Sequence, residues 1–300
     1  MTHAKTLRRL LAESPPVLAP GCFDAMSALM IERAGFACAY LSGAGIAFSR
    51  LGRPDLGLVS MAEVADTVAL IRDRVALPLV VDADTGYGNA MNVQRTVRLF
   101  ERMGASAIQL EDQVTPKRCG HLKGKALIGT DEMIGKVKAA CDARADDDTL
   151  GLARTDAIAV DGLAAALERG HAYIEAGADM LFVEAPPSVE DMRAITSAFA
   201  ETVPLLANMV EGGMTPVKSA KELGDIGYAM VIFPGALMRA YTHMAERFLA
   251  DLHTNFTTEP WWTRMNDLAG VNRIVGLDEI LRDDARYAVG GPDPNLSGDG

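Results

Sequence analysis

Eight short apolar runs, spread along the chain, limit what it can fold into. They are VLAP (17–20), ACAYLS (37–42), PLVVDAD (78–84), SAIQLED (106–112), LGLARTD (150–156), DMLFVEA (179–185), PLLANMV (204–210) and YAMVIFP (228–234). Most are continuous rather than alternating, as parallel strands covered on both faces are. Between them lie stretches of helical length with one apolar face, such as 61–75, 92–104 and 161–177. Several close on glycine, at Gly35, Gly104 and Gly177, where helix ends favour that residue. Repeated strand–helix units predict a parallel α/β fold, and eight of them a (β/α)8 TIM-type barrel. An open doubly wound sheet is the alternative, weakened because no G-x-G-x-x-G follows the first run. The expected domain covers residues 1–288. Within it, 235–253 reads as the eighth helix, and 259–288 as one or two extra amphipathic helices that must pack on the barrel or on a neighbouring subunit. The tail 289–300, rich in Gly, Pro and Asp, reads as disordered.

The net charge of −11 leaves no broad basic face for nucleic acid. No run approaches the roughly 20 apolar residues that span a bilayer, and the N-terminal stretch lacks the apolar core of a signal peptide. The four cysteines (Cys22, Cys38, Cys119, Cys141) form no C-x-x-C pair and no zinc spacing. Free thiols in a cytoplasmic location are expected.

In a barrel of this kind, chemistry gathers at the C-terminal strand ends. Those ends carry Tyr40 with Ser42, Gly43 and Ala44, then Asp82 and Asp84, then Glu111, Arg154 with Asp156, Glu184, Asn208, and finally Arg239 beyond the eighth run. Strand alternation aims Asp82 and Asp84 at one point, and Glu111 on the next strand makes a third carboxylate there. Carboxylates so close repel unless a cation sits among them. Oxygen donors without His or Cys favour Mg²⁺, or Mn²⁺, over Zn²⁺.

Two connections, about 43–59 and 113–129, exceed the usual βα loop and read as binding loops or lids. The second holds QVTPKRCGHLKGK (113–125), a thiol inside the most basic cluster of an acidic chain. It emerges above the carboxylates. Its cations can receive a polycarboxylate while Cys119 faces the reacting carbon. Clustered positive charge can lower a thiol's pKa.

The segments YLSGAGIA, RPDLG, VDADTGYGN, IQLEDQ, PKRCGH, GLARTDA, LFVEAPP, LLANMVEGG and MTP, in this order over roughly residues 15–250, resemble the isocitrate lyase/phosphoenolpyruvate mutase superfamily. The resemblance implies a (β/α)8 barrel, Mg²⁺ dependence, and a homotetramer whose C-terminal helices are exchanged between subunits. Carried onto this chain, it makes Asp82 and Asp84 metal-site carboxylates, with Asp55 and Glu111 behind them holding metal-bound water. Cys119 of the K-[KR]-C-G-H pattern matches the catalytic cysteine, with Lys117, Gly120 and His121 in the same mobile loop. Ser42, Gly43, Ala44, Arg154, Glu184, Asn208 and Arg239 match substrate-binding positions.

The implied reaction is Mg²⁺-dependent cleavage of a 2-hydroxy di- or tricarboxylate, 2-methylisocitrate- or 2,3-dimethylmalate-like, to pyruvate or another 2-oxo acid and a carboxylate. Cys119 would be the proton donor, which requires the thiol although its neighbours favour thiolate. Tyr40 or a metal-bound hydroxide is the candidate base, and Arg264 a candidate contact for a third carboxylate. Carboxyphosphonoenolpyruvate phosphonomutase or oxaloacetate decarboxylase chemistry on the same platform stays open, as does a non-catalytic anion-binding barrel.

Overall fold

The computed structural model describes residues 2–13, 16–122 and 124–287. The chain divides into two compact units, Met1–Arg239 and Ala240–Gly300. Eight parallel strands form the first: β1 (Val17–Cys22), β2 (Ala39–Leu41), β3 (Leu79–Asp82), β4 (Ala107–Glu111), β5 (Leu150–Thr155), β6 (Met180–Val183), β7 (Leu205–Asn208) and β8 (Met230–Phe233). Each pairs with its neighbour, and β8 pairs back onto β1, closing a barrel. The expected (β/α)8 fold is what forms.

The expected helices appear at Met61–Arg74, Ala90–Met103 and Leu163–Glu175. Their starts are built locally. Ser60 and Glu63 satisfy each other's backbone N–H groups in a capping box, as do Asn89 and Asn92. Gly104 ends its helix at φ 103°, a left-handed value costly for a residue with a Cβ.

Inward positions on the strands obey a period of two. The lower layers are apolar: Val17 and Ala19, Val80, Ala107, Leu150 and Leu152, Met180 and Phe182, Leu206, Met230 and Ile232 form one cluster. Leu7 and Leu11, one turn apart on the N-terminal helix His3–Ala12, belong to the same cluster. Continuing each series by two residues gives the polar set: Ser42 after Tyr40, Asp82 after Val80, Gln109 and Glu111 after Ala107, Arg154 after Leu152, Glu184 after Phe182, Asn208 after Leu206. The same alternation that packs the barrel therefore aims the chemistry at its mouth.

One buried carboxylate fixes β4 against β5 at that end. Asp112 accepts from Thr155 Oγ1 (2.7 Å), Asp156 N (3.0 Å), Arg169 Nη1 (3.1 Å) and Tyr173 OH (2.7 Å). A buried charge so fully satisfied is tolerated, whereas removing one partner of a buried pair costs about 3–5 kcal/mol.

The first long connection is not a bare loop. Ser42 caps the turn by accepting from Gly45 N (3.1 Å), and helix Gly43–Ile46 runs on as a π-helix over Ala47–Leu51. Among its described residues, the second, 113–129, has no helix or strand beyond the bridge between Gln113 and Leu127.

The second unit comprises most of helix Ala236–Asn255, a 3₁₀ turn Glu259–Arg264, and helices Leu268–Val275 and Leu277–Tyr287. Trp261 is buried in it. Its indole donates to Asp251 Oδ2 (2.8 Å), Phe248 meets it edge-on, and the Arg264 guanidinium lies 4.0 Å over its ring. The tail read as disordered (289–300) lies outside the described residues. Among these residues no helix is long and apolar enough to cross a membrane.

Candidate active site

At the barrel mouth lies a cavity of about 110 Å³. Tyr40, Ser42, Ala44, Asp55, Asp82, Lys117, Cys119, Gly120, His121, Arg154, Glu184, Asn208 and Arg239 all line it, so the sequence-derived set converges. Asp84, Glu111 and Gly43 stand directly behind. A Cβ added at Gly43 would sit 3.1 Å from Asp82 Oδ2 and 3.4 Å from Asp84 Oδ1.

Asp84 reaches the site by a route that alternation does not give. Strand β3 ends at Asp82, and Asp84 has left-handed backbone at φ 47°, a conformation Asp adopts more readily than most residues. Its N–H donates to Asp82 Oδ1 (3.1 Å), and its carbonyl accepts from Glu111 N (2.9 Å). The turn, locked to β4, places the carboxylate.

The three carboxylates do not meet at one point. Glu111 turns towards Arg154, whose Nε lies 3.3 Å from its Oε2. Lys117, with 4% of its side chain exposed, puts its ammonium 2.6 Å from Asp55 Oδ1 and 2.9 Å from Asp84 Oδ1. Among the described residues no group of three His, Cys, Asp or Glu side chains is drawn together as a complete metal-ligand set. The residues nonetheless suit a hard divalent ion. Asp82 and Asp84 both border the space by Gly43. Asp84 Oδ1, ion-paired but poorly aligned with Lys117, and Glu111 Oε1 are buried without a hydrogen bond. Mg²⁺ characteristically takes one or two carboxylates and completes its shell with water and substrate oxygens.

Electrostatics follow from this packing. Burial, with Asp82 and Asp55 nearby, pushes Asp84 up to about 7 against the pull of Lys117. Burial likewise raises Glu111 well above the usual carboxylate range, although Arg154 opposes it. For Lys117, burial disfavours the charge, but Asp84, Glu111, Asp82 and Asp55 outweigh it and the pKa rises.

Cys119 contradicts the expectation drawn from its basic neighbours. Burial raises its pKa above the ordinary thiol value, and Asp55 and Glu184 add to that. Two of the cations near it in sequence are spent elsewhere: Lys117 on Asp55 and Asp84, Lys125 on Asp156 (2.7 Å). This shift favours the thiol over the thiolate at neutral pH.

His121 is held as a neutral ring, because burial lowers its pKa despite Glu184. Met214 N donates to its Nδ1 (3.2 Å), which puts the proton on Nε2, 3.4 Å from Glu184 Oε1. Glu184 also meets Arg154 Nη2 (3.2 Å) and accepts from Asn208 Nδ2 (3.1 Å). Arg239 pairs with Glu211.

Tyr40 is unsuited to the role of base. Its hydroxyl donates to Gln109 Oε1 (3.0 Å), and burial beside Asp82 raises the phenol well above its ordinary value. Gln109 also donates to Asp82 Oδ1 (3.1 Å). Its importance was readable from SAIQLED, where a buried glutamine shares the inward phase of Glu111. Phe48, Val210, Ile232 and Pro234 form an apolar side of the cavity that a search for polar residues passes over.

Comparison with known proteins agrees with this geometry. Residues 7–253 match the phosphoenolpyruvate phosphomutase family. The chain belongs to that family. It is 43% identical to the 2,3-dimethylmalate lyase of Eubacterium barkeri, covering 97% of this chain and all of the relative. It is 44% identical to the 2-methylisocitrate lyase of Aeropyrum pernix, covering 94% and 90% respectively. A crystal structure of 2,3-dimethylmalate lyase, described as a PEP mutase/isocitrate lyase superfamily member, superimposes with a TM-score of 0.89 at 37% identity, covering 98% of this chain and 99% of that one. The chain is an enzyme, a carbon–carbon lyase of this superfamily.

Proposed function

We propose that the protein cleaves the C2–C3 bond of a 2-hydroxy acid bearing a second carboxylate on C3, a 2,3-dimethylmalate- or 2-methylisocitrate-like substrate. The products are pyruvate, or another 2-oxo acid, and a carboxylate. The observation that carries this reading is a half-buried thiol with a raised pKa sharing one cavity with Arg154 and Asp82. Cleavage leaves electrons on C3 as an enolate-like carboxylate, which needs a cationic partner and then a proton. Arg154 meets the first need from a buried position, where its charge acts strongly. Cys119, still protonated at neutral pH, meets the second.

Asp82 and Asp84 would hold Mg²⁺, with Asp55 and Glu111 behind. When bound, the ion supplies Lewis acidity at the 2-hydroxyl and its carboxylate. Ser42, Gly43, Ala44 and Gly120 close around the substrate, while Glu184 orients Arg154, Asn208 and His121. Asn208 Oδ1, buried without a partner, is available to accept from a substrate hydroxyl. Phe48, Val210, Ile232 and Pro234 suit an alkyl substituent.

A homotetramer belongs to the same proposal. Helices Leu268–Val275 and Leu277–Tyr287 bury none of their residues and leave Leu268 79% and Ile280 63% exposed, so a second copy would cover them. Light scattering on the purified protein tests that.

The catalytic reading is tested by pyruvate release from 2,3-dimethylmalate and 2-methylisocitrate, with Mg²⁺ and with EDTA. Mg²⁺-dependent pyruvate is expected from wild type. No release from either substrate refutes the proposed reaction, and phosphorus NMR or CO₂ release from oxaloacetate would then identify mutase or decarboxylase chemistry.

A further inference from the structure

Lys125 does not line the cavity, yet only 2% of its side chain is exposed. Its ammonium donates to the carbonyl of Gly120 (2.5 Å) and to Asp156 Oδ1 (2.7 Å). Asp156 is itself held: it accepts from Arg154 Nε (3.0 Å) and Nη2 (3.1 Å), and its own N–H donates to Asp112 Oδ1 (3.0 Å). A single ammonium thus joins the Gly120–His121 peptide, one residue beyond Cys119, to the end of β5.

The other ties on this segment lie away from the Gly120 carbonyl: Lys117, two residues before Cys119, is ion-paired with Asp55 (2.6 Å) and Asp84 (2.9 Å), and His121 Nε2 lies 3.4 Å from Glu184 Oε1. Met214 N reaches His121 Nδ1 at 3.2 Å, a neutral hydrogen bond. Gln113 holds the backbone of Arg118 at the loop's stem, from its Nε2 to Arg118 O (2.9 Å) and from Arg118 N to its Oε1 (3.0 Å). None of these holds the Gly120 carbonyl, which Lys125 does. Two hydrogen bonds from a charged, dehydrated donor are the strongest restraint there.

We propose that Lys125 is a positioning residue, a latch that holds the Cys119–Gly120 turn down over the cavity. The prediction for turnover rests on the reading of Cys119 as proton donor; the prediction for thiol accessibility does not. With the latch removed, the turn spends more time open and the thiol meets solvent. Methionine matches the length of lysine but cannot donate. Arginine can reach both acceptors and should rescue.

The experiment uses the full chain as wild type, Lys125→Met and Lys125→Arg. Iodoacetamide labelling is followed by peptide mass spectrometry, reading Cys119 separately from the buried Cys22 and Cys38. Lys125→Met is expected to label Cys119 about tenfold faster, consistent with loss of a charge-assisted bond, while Cys22 and Cys38 stay as slow as in wild type. Pyruvate release should lose kcat more than it raises KM, since placement rather than substrate binding is impaired. Lys125→Arg should restore both readouts.

Equal Cys119 labelling in wild type and Lys125→Met overturns the latch. So does Lys125→Arg behaving like Lys125→Met, and so does faster labelling at all three cysteines, which marks general loosening. If no substrate yields pyruvate while Lys125→Met alone exposes Cys119, the latch stands and the reaction assignment fails.

Discussion

Gly120→Ala probes how tightly the loop closes on the site. A Cβ at position 120 would lie 2.7 Å from both Cγ and Oε2 of Glu184, and closer still to Arg154 Nη2. Gly120 has no left-handed φ, so the effect is steric rather than one of backbone strain. Neither neighbour can easily retreat. Arg154 is fixed by Glu111, Asp156 and Glu184, and Glu184 accepts from Asn208. The loop must therefore move by several tenths of an ångström or more, carrying Cys119 with it. Overpacking of this kind costs about 1–3 kcal/mol, and misplacement of a reacting group by about 1 Å can cost on the order of 100-fold in rate. The loop is the softer element, so most of the penalty should appear in turnover and little in unfolding. The assay is pyruvate release coupled to lactate dehydrogenase, with a thermal melt on the same sample. A drop in kcat of roughly 10–100-fold with a nearly unchanged melt is expected. Turnover within twofold of wild type would falsify the closed arrangement of Gly120 on Arg154 and Glu184.

Two further outcomes follow from the titrating groups. Because burial raises the Cys119 pKa, kcat should hold through neutral pH and fall only above the ordinary thiol range. In Cys119→Ser that alkaline limb should vanish together with a 10²–10⁴-fold loss of rate, and a pH–rate profile that already declines near neutrality contradicts the assignment. Lys117→Met removes the cation between Asp55 and Asp84, at a cost of about 3–5 kcal/mol for a broken buried pair. Asp84, with its folded pKa raised to about 7, stabilises the fold while protonated and loses that contribution as pH rises through 7. Because Lys117 holds the Asp84 pKa down, its removal raises that pKa further, so the destabilisation should be larger at alkaline than at mildly acidic pH, and added Mg²⁺ should recover part of it; denaturant melts at two pH values, with and without MgCl₂, decide this.

Much of the barrel was legible because its signal is local and repeated. Continuous apolar runs such as PLVVDAD and DMLFVEA alternate along the chain with amphipathic stretches of helical length, and the phase of their inward residues extends to the polar ends. Other features depend on contacts distant in sequence. Nothing in VDADTG announces that Asp84 adopts a left-handed turn locked to Glu111. GAGIAFSRL reads as loop by its length, but a serine cap and weakly opposed helix formers make it helical. The charges around Cys119 were visible, but not where they point; Lys117 and Lys125 face carboxylates on other segments, so the thiol's acidity could not be judged from its neighbours in the chain. Nor does the sequence around Tyr40 show that its hydroxyl is held by Gln109 on another strand.

The barrel's two-residue period has a consequence for how such a site can change. Phe182 lies beneath Arg154, with the guanidinium carbon 5.0 Å from its ring centre, and strands β3 to β7 repeat this stacking of an apolar storey under a polar one. A substitution in the upper storey alters what is bound without asking the lower one to repack. Slipping a strand by one residue instead turns both storeys outward at once, so this architecture tolerates new chemistry by replacement far better than by insertion.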